Sequence, residues 1–534
     1  MISADEYNQK IAELKAENDH LASCNKELTD DNKALAARVE ELALQVQWFM
    51  KQLFGEKSER RISDPPKEQL FLGEQFQKET AKEEATQTIA EHQRKKRTAR
   101  SVDGDNTKLF FDESVPVKEI KVENPEIKGL SEDAYEVVSQ KTSYRLAQRP
   151  GSYVILKYVR DVIKMKRDDE EEEKLTCPAV PDSVFEKSHA DVSFLAGLLI
   201  DKFQFHLPLY RQHQRLESAG IGVSRGWLTQ LVHRCGDLLE PIFDAVVESI
   251  RSDRVKLIDE TPIKAGRKKK GKMRAAYFWP VMGGKKEIAF LYFDSREHHH
   301  VFEALGANPG DGSVIVSDGY GAYKTYAKAT NTLNAQCWTH SRREFIKAEE
   351  VEPEKVKTAL DLIRPLYTVE KEIKDNALEG EAKRLYRVEY GKPIVDAFFA
   401  WVEKERKAGD LLPTNRLTKA LNYVHSRKDG LMIFLTDPDV PIDTNELEQA
   451  LRVIPMGRKN WLFCWTEVGA KYVGIFQTLI TTCKMHGVDP YTYLVDVLQR
   501  VADHPKSEIE KLTPRLWSQY FGDNPMRSDL DNLF

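Results

Sequence analysis

Tyr7, Leu14, Leu21, Leu28, Leu35, Leu42 and Phe49 recur every seven residues. A second series, Ile11, Asn18, Asn25, Asn32, Val39, Val46 and Leu53, falls three residues before each next member, and no Gly or Pro intervenes before Gly55. Apolar positions at this spacing bury a seam only against a second helix, so residues 1–55 are predicted to form a coiled coil. Asn at three successive positions of one series favours a parallel pair over trimers or shifted registers, which makes the chain a homodimer or higher. From Gly55 the pattern dissolves. Residues 56–108 carry Pro65-Pro66, a Lys/Glu/Gln/Thr-rich run and the basic cluster Arg94, Lys95, Lys96, Arg97 and Arg100, a composition that reads as a flexible polar and basic linker.

Short alternating runs such as Tyr153-Val154-Ile155-Leu156 predict a small β-rich module over 109–190, in which the acidic block Asp168–Glu173 is a solvated loop. Residues 191–250 read as helical. A break at Gly220-Ile221-Gly222 and a helix start capped by Ser224 fit a helix-turn-helix with Arg225, Trp227, Thr229 and Gln230 facing DNA, and equally an ordinary helical hairpin. Strand patterns return over 251–346, a Lys/Glu/Leu/Ala-rich helical insertion spans 347–440, a helix and the end of the core span 441–500, and 501–534 is a tail. The fold class is mixed α/β and multidomain.

Composition narrows the classes. The 534 residues are 41% hydrophobic and 31% charged, and no apolar run approaches the ~20 residues of a membrane span. The first ten residues lack the basic and apolar segments of a secretory signal, so the expected location is cytoplasmic. Six scattered cysteines with no CxxC pair argue against a disulfide scaffold or a self-contained zinc finger. A net charge of −5 excludes a uniformly basic coat and leaves local patches to meet phosphates.

Two buried-looking strands run straight into carboxylates: Val255–Ile258 into Asp259, and Ser313–Val316 into Ser317-Asp318. With strands at 276–282 and 288–293 and a helix near His298 between them, the order is that of ribonuclease-H-like nucleases. Neighbouring strand ends would bring Asp259 and Asp318 close enough to repel unless a divalent cation lies between them. Oxygen ligands select Mg²⁺ or Mn²⁺, and two such ions suit phosphodiester displacement. A third carboxylate is sought on the helix after Pro441. Glu446 and Glu448 are two apart and point to different faces, so only one can serve, and spacing does not choose between them.

Basic and aromatic residues supply DNA-contact candidates. Lys268, Lys269 and Lys270 sit in a hairpin tip flanked by Lys264, Arg267, Lys272 and Arg274; Arg342 and Arg343 suit phosphates, Trp338 or His340 a stacked base, and Arg458, Lys459 and Trp461 act likewise. Cys337 and His340 have metal-compatible i, i+3 spacing, but two ligands fall short of a zinc site, and no zinc is expected.

FGEKSER at 54–60, HLPLYRQ at 206–212, DETP at 259–262, SDGYGAY at 317–323, CWTHSRREF at 337–345, PIDTNELEQALR at 441–452, GRKNWLF at 457–463 and GVDPYTYL at 487–494 resemble, in order, the motifs of the insertion-sequence-sixty-six family of bacterial DDE transposases. The resemblance implies a ribonuclease-H-like core using two Mg²⁺ or Mn²⁺ ions, with Asp259, Asp318 and Glu448 as catalytic metal ligands. It further implies binding of terminal inverted repeats and target DNA, strand cleavage and strand transfer, and accessory proteins of the same element. Thr444 stands where the family usually has Asn, and Gln449 where it has Arg. The cysteine-rich zinc module common in the family is reduced to Cys177 within 109–190, so that module is expected to keep a β-rich shape by packing alone or to be degenerate. The competing readings are a domesticated nuclease that cuts without joining and a catalytically silent coiled-coil DNA-binding protein.

Overall fold

The structure is a computed structural model that describes residues 100–101 and 109–531, apart from 112, 114, 129–134, 150, 166–174, 270–271 and 410–411. The predicted coiled coil, nearly all of the linker and Lys270 lie outside the described residues. The two-residue strands β1 (Arg100–Ser101) and β2 (Phe110–Phe111) pair antiparallel. A sheet follows, built on a long hairpin of β4 (Tyr135–Arg149) and β5 (Ser152–Met165), with β3 (Val117–Val122) parallel to β5 and the short β6 (Leu175–Thr176) also on β5. Alternation along β5 gives the sheet two apolar sides. Ile155 joins the main core, while Val154, Leu156 and Tyr158 form a small cluster with Ala147 and Leu530. Leu530 comes from the segment expected to be a tail. Residues 501–531 pack instead: buried Asp496 accepts from Trp517 Nε1 at 2.7 Å, the Met526 amide at 2.7 Å and Arg500, and so anchors the chain end.

Helices Val192–Leu199 and Leu209–Ser218, strand β7 (Ile221–Gly222) and the 28-residue helix Arg225–Ser252 form the next layer, and β7 pairs back to β2. Ser224 caps the long helix by accepting the Trp227 amide at 3.1 Å.

The central sheet contains β8 (Val255–Ile258), β9 (Thr261–Lys269), β10 (Lys272–Gly283), β11 (Ile288–Phe293), β12 (Val314–Ser317) and β13 (Leu333–Gln336), in the order β11-β10-β8-β12-β13 with β9 on β10. β8, β12 and β13 run parallel; β10 is antiparallel to β8, β9 and β11. β9 is an element the sequence reading assigned to a hairpin tip, because its Lys264, Arg267, Lys268 and Lys269 mask the alternating buried Thr261, Ile263 and Ala265. Every residue of β8 and β12 is buried, as befits strands covered on both faces. Helix Glu467–Met485 lies along β11, where Thr478 Oγ1 accepts the Phe290 amide at 2.9 Å and Thr482 Oγ1 the Ile288 amide at 3.4 Å, so hydroxyls occupy the free amides of this edge strand.

Between helix Trp338–Ile346 and the helix after Pro441 stand five α-helices among the described residues, Pro353–Asp375, Gly380–Tyr386, Lys392–Ala408, Arg416–His425 and Lys428–Thr436. Fully buried Arg387 ties them together: Nε and Nη2 donate to the Glu370 carboxylate at 2.7 and 2.8 Å, and Nη1 to the carbonyls of Phe434 and Val440 at 2.8 and 2.9 Å.

The close approach of helix Glu467–Met485 to β11 requires Gly474, because a Cβ there would lie 2.3 Å from the Phe290 carbonyl oxygen. Gly474→Ala is therefore expected to destabilise by about 2–3 kcal/mol, since backbone on both sides must move. The thermal unfolding midpoint should fall by roughly 2–3 °C, the small shift expected of so large a cooperative unit; an unchanged midpoint would show that the contact yields freely.

Candidate active site

Val314 pairs with Val255, Ile315 with Lys256 and Val316 with Leu257. Continued two residues further, this register sets Asp318 opposite Asp259 on neighbouring strand ends, which lie about 4.7–4.9 Å apart across a sheet. The Asp259 amide donates to the Pro280 carbonyl at 3.3 Å, and its Oδ1 accepts the Glu260 amide at 2.7 Å. Asp318 Oδ1 accepts the Tyr320 amide at 2.8 Å, and its carbonyl accepts from the Tyr423 hydroxyl of the helical insertion. Gly319 is obligatory: its φ is +85°, and a Cβ would meet Arg427 Nε at 2.3 Å and Gln336 Oε1 at 2.4 Å. Arg427 donates to the Gly319 carbonyl at 3.1 Å and lies over the Tyr423 ring.

The third acid arrives from 130 residues away. Helix Trp338–Ile346 starts beyond β13, next to Asp318's strand, and holds the segment before helix Asn445–Leu451. The Trp338 amide donates to the Ile442 carbonyl at 3.1 Å, Thr339 Oγ1 to Asp443 at 3.0 Å, and the Thr444 amide and hydroxyl to Cys337 Sγ at 3.4 Å each. Asp443 in turn accepts the Asn445 amide at 3.0 Å. This docking turns Glu448 towards the strand ends and leaves Glu446 exposed in a separate cleft with Arg254 and Lys383. Arg343 pairs with Glu448 Oε2, and His340 Nε2 stands 3.7 Å from Oε1.

Burial raises the Asp259 carboxyl from 3.8 to about 7, and the neighbouring charges of Asp318 and Glu448 push the same way against the partial relief of Arg343 and Arg296. Charges that disfavour one another in this manner suit a divalent cation, and a donor set of carboxylate oxygens fits a hard one. The triad is open: its three carboxylates do not all close to within 4.8 Å of one another, whereas Glu448 does so with Cys337 and His340.

The other sequence candidates divide. Lys268 and Lys269 are exposed on the β9–β10 hairpin, Arg225 is exposed at the start of its long helix, and Arg342, Arg343 and Lys459 are exposed. His340, Arg458 and Trp461 are half-buried; Arg458 donates to the Pro262 carbonyl, and the Trp461 ring covers Gly457. Trp338 has no face for a nucleotide base. It is wholly buried, ringed by Phe398, Phe399 and Phe434, and its Nε1 donates to the Leu431 carbonyl at 2.9 Å, so the stacking role drawn from its basic surroundings is withdrawn. Sequence reasoning missed Tyr423 and Arg427, which buttress the Asp318 turn from the insertion. It also missed Glu260, which takes the Tyr323 hydroxyl and pairs with Arg296 beside Asp259.

The fold and its acidic strand ends define a class, an α/β chain with carboxylates gathered where parallel strands end. The family model for "Transposase IS66 family" matches residues 187–472, that for "IS66 C-terminal element" residues 478–515, and that for "Transposase C of IS166 homeodomain" residues 41–120. The chain belongs to the IS66 transposase family. Among curated proteins it is 30% identical over 354 residues to "Uncharacterized protein y4hP" of Sinorhizobium fredii, covering 61% of this chain and 62% of that one. It is 31% identical over 337 residues to "Uncharacterized protein y4qI" of the same organism, covering 60% and 61%. The match thus spans about three fifths of these relatives' length. No helix among the described residues is long and apolar enough to cross a membrane.

The raised Asp259 carboxyl has a stability consequence. Between pH 3.8 and about 7 the folded chain holds a proton at this group that the unfolded chain has released. Stability of the metal-free protein therefore falls as pH rises through that window. Asp259→Asn removes the repulsion, so at pH 8 the metal-free variant should be more stable than the parent by about 1–3 kcal/mol. The advantage should shrink to nothing near pH 4. Parallel thermal melts in chelator measure it, and an equal advantage at both pH values would contradict the repulsion.

Proposed function

We propose that this chain is a DDE transposase that binds the terminal inverted repeats of an insertion sequence and catalyses metal-dependent strand cleavage and strand transfer. The observation that carries the reading is the parallel β8–β12 register, which carries Asp318 opposite Asp259 in a half-buried, mutually repelling pair. The sheet order supports it: with β9 taken as the continuation of β8 along β10 and the strands numbered within the sheet, they run 3-2-1-4-5, as in a ribonuclease-H-like core, with Asp259 at the break in the first and Asp318 after the fourth.

Asp259, Asp318 and Glu448 would hold two Mg²⁺ or Mn²⁺ ions. When bound, such ions generate a nucleophilic oxygen and stabilise the leaving oxygen of an in-line displacement. Asp259 must lose its proton for the site to load, and the burial that raises its carboxyl also strengthens its hold on a cation once charged. Arg343 neutralises Glu448 in the free protein and is exposed enough to turn to a phosphate when DNA arrives. Lys268, Lys269 and Lys270 on the hairpin, Arg342 beside the site, and Arg458, Lys459 and Trp461 after the acidic helix form the proposed DNA track. Arg225 and the turn before it serve recognition of the element ends. His340, half-buried against Glu448, serves the site rather than a distant base. The N-terminal heptads would join two protomers so that two element ends meet, with accessory proteins of the same element as further partners.

Asp259→Ala, Asp318→Asn and Glu448→Gln should each lower Mg²⁺-dependent cleavage of an end-containing duplex on the order of 10²–10³-fold or more. Binding of that duplex, followed by gel shift in Ca²⁺, should survive. Full activity in Asp318→Asn would defeat the assignment, and cleavage by the parent without joined products would identify a nuclease instead.

A further inference from the structure

The spacing of Cys337 and His340 supplies two ligands of a kind the Mg²⁺ reading does not use. The fold supplies a third. Cys337 Sγ, an imidazole nitrogen of His340 and a carboxylate oxygen of Glu448 all lie within 4.8 Å of one another. Glu448 divides its two oxygens: Oε2 is taken by Arg343, while Oε1 is buried without a hydrogen-bond partner and faces His340 at 3.7 Å. His340 Nδ1 is likewise buried and unpartnered. Cys337, only 1% exposed, is fixed by the Thr444 amide and hydroxyl, both aimed at its sulfur. Buried polar atoms left without partners are uncommon and call for a reason.

We propose that Cys337, His340 and Glu448 form a site for one thiophilic divalent cation of the zinc class, distinct in its donors from the Mg²⁺ pair but sharing Glu448 with it. A thiolate, an imidazole and a carboxylate are the donors such a cation prefers, and Mg²⁺ does not take sulfur. The Cys337 thiol releases its proton to solvent on binding, leaving thiolate and carboxylate to balance the two positive charges. Tetrahedral coordination needs donors roughly 3.3–3.8 Å apart, which the three side chains reach by small rotations. Three protein ligands leave a fourth position for water. Occupancy has a consequence that rests on the proposed function: the zinc-class ion competes with the Mg²⁺ pair for Glu448, draws it from Asp259 and Asp318 and acts as a brake.

The test uses purified full-length protein and Co²⁺ as a spectroscopic probe. The parent should show a thiolate-to-cobalt charge-transfer band with tetrahedral ligand-field absorption, displaced by Zn²⁺. The band should vanish in Cys337→Ser, and Co²⁺ affinity should fall at least about tenfold in His340→Gln. No thiolate band in the parent, or a band retained in Cys337→Ser, overturns the site. If the buried cysteine variant does not fold, unaltered affinity in His340→Gln does so. Separately, cleavage in Mg²⁺ is measured with and without Zn²⁺, each variant serving as its own reference. Zinc should slow the parent at least about tenfold and leave His340→Gln less sensitive, as its weaker Co²⁺ affinity requires. A confirmed cobalt site with zinc-insensitive cleavage would keep the site and remove Glu448 from the catalytic set.

Discussion

Two four-residue strands, Val255–Ile258 and Val314–Ser317, position the candidate site, because their parallel pairing brings Asp259 and Asp318 to neighbouring strand ends. Both are buried throughout, so a slip of one residue would reverse every side chain between the faces. That penalty fixes the relative position of two acids 59 residues apart. It also holds them close against their mutual repulsion, which a flexible loop would relieve by moving apart.

Glu448 is governed differently. No strand register places it; a chain of polar contacts from helix Trp338–Ile346 does, through Trp338, Thr339 and Cys337 to Ile442, Asp443 and Thr444. The helical insertion is part of this framework. It buries Trp338, contributes Arg387 to fasten Phe434 and Val440, and sends Tyr423 and Arg427 to the turn that follows Asp318. Its five helices thus link the second acid's turn to the approach of the third, which gives a physical reason for so long an interval between them.

What could be read from the sequence follows from which interactions are local. Asp259 and Asp318 were legible because each ends a short apolar run, and a buried strand that stops at a carboxylate is a pattern within a few residues. Spacing did not choose between Glu446 and Glu448, since both lie in one helical turn; it takes the packed helix to show that Glu448 is the one whose charge reaches Asp259. Trp338 was misread for the same cause: its neighbours His340, Arg342 and Arg343 are basic, yet its own environment is set by Phe398, Phe399 and Phe434, some 60 to 96 residues later. β9 was hidden by lysines on its outward face, and the packed chain end by its polar composition. The heptads of residues 1–55 are the plainest pattern in the chain and fall outside the described residues.

The departures from the family's usual acidic motif gain a physical meaning from the contacts of Thr444. This side chain is 1% exposed, and both its amide and its hydroxyl point at the Cys337 sulfur. An Asn here would place a longer, planar amide in the same closed space, and the sulfur would have to move or give up one donor. Threonine thus packs on Cys337 at the start of the helix that carries Glu448. Gln449, by contrast, is exposed, so replacing a basic side chain there changes the charge near the acidic helix without touching its support. One departure thus acts through packing beside Glu448 and the other through charge at the surface. Neither alters the three carboxylates themselves.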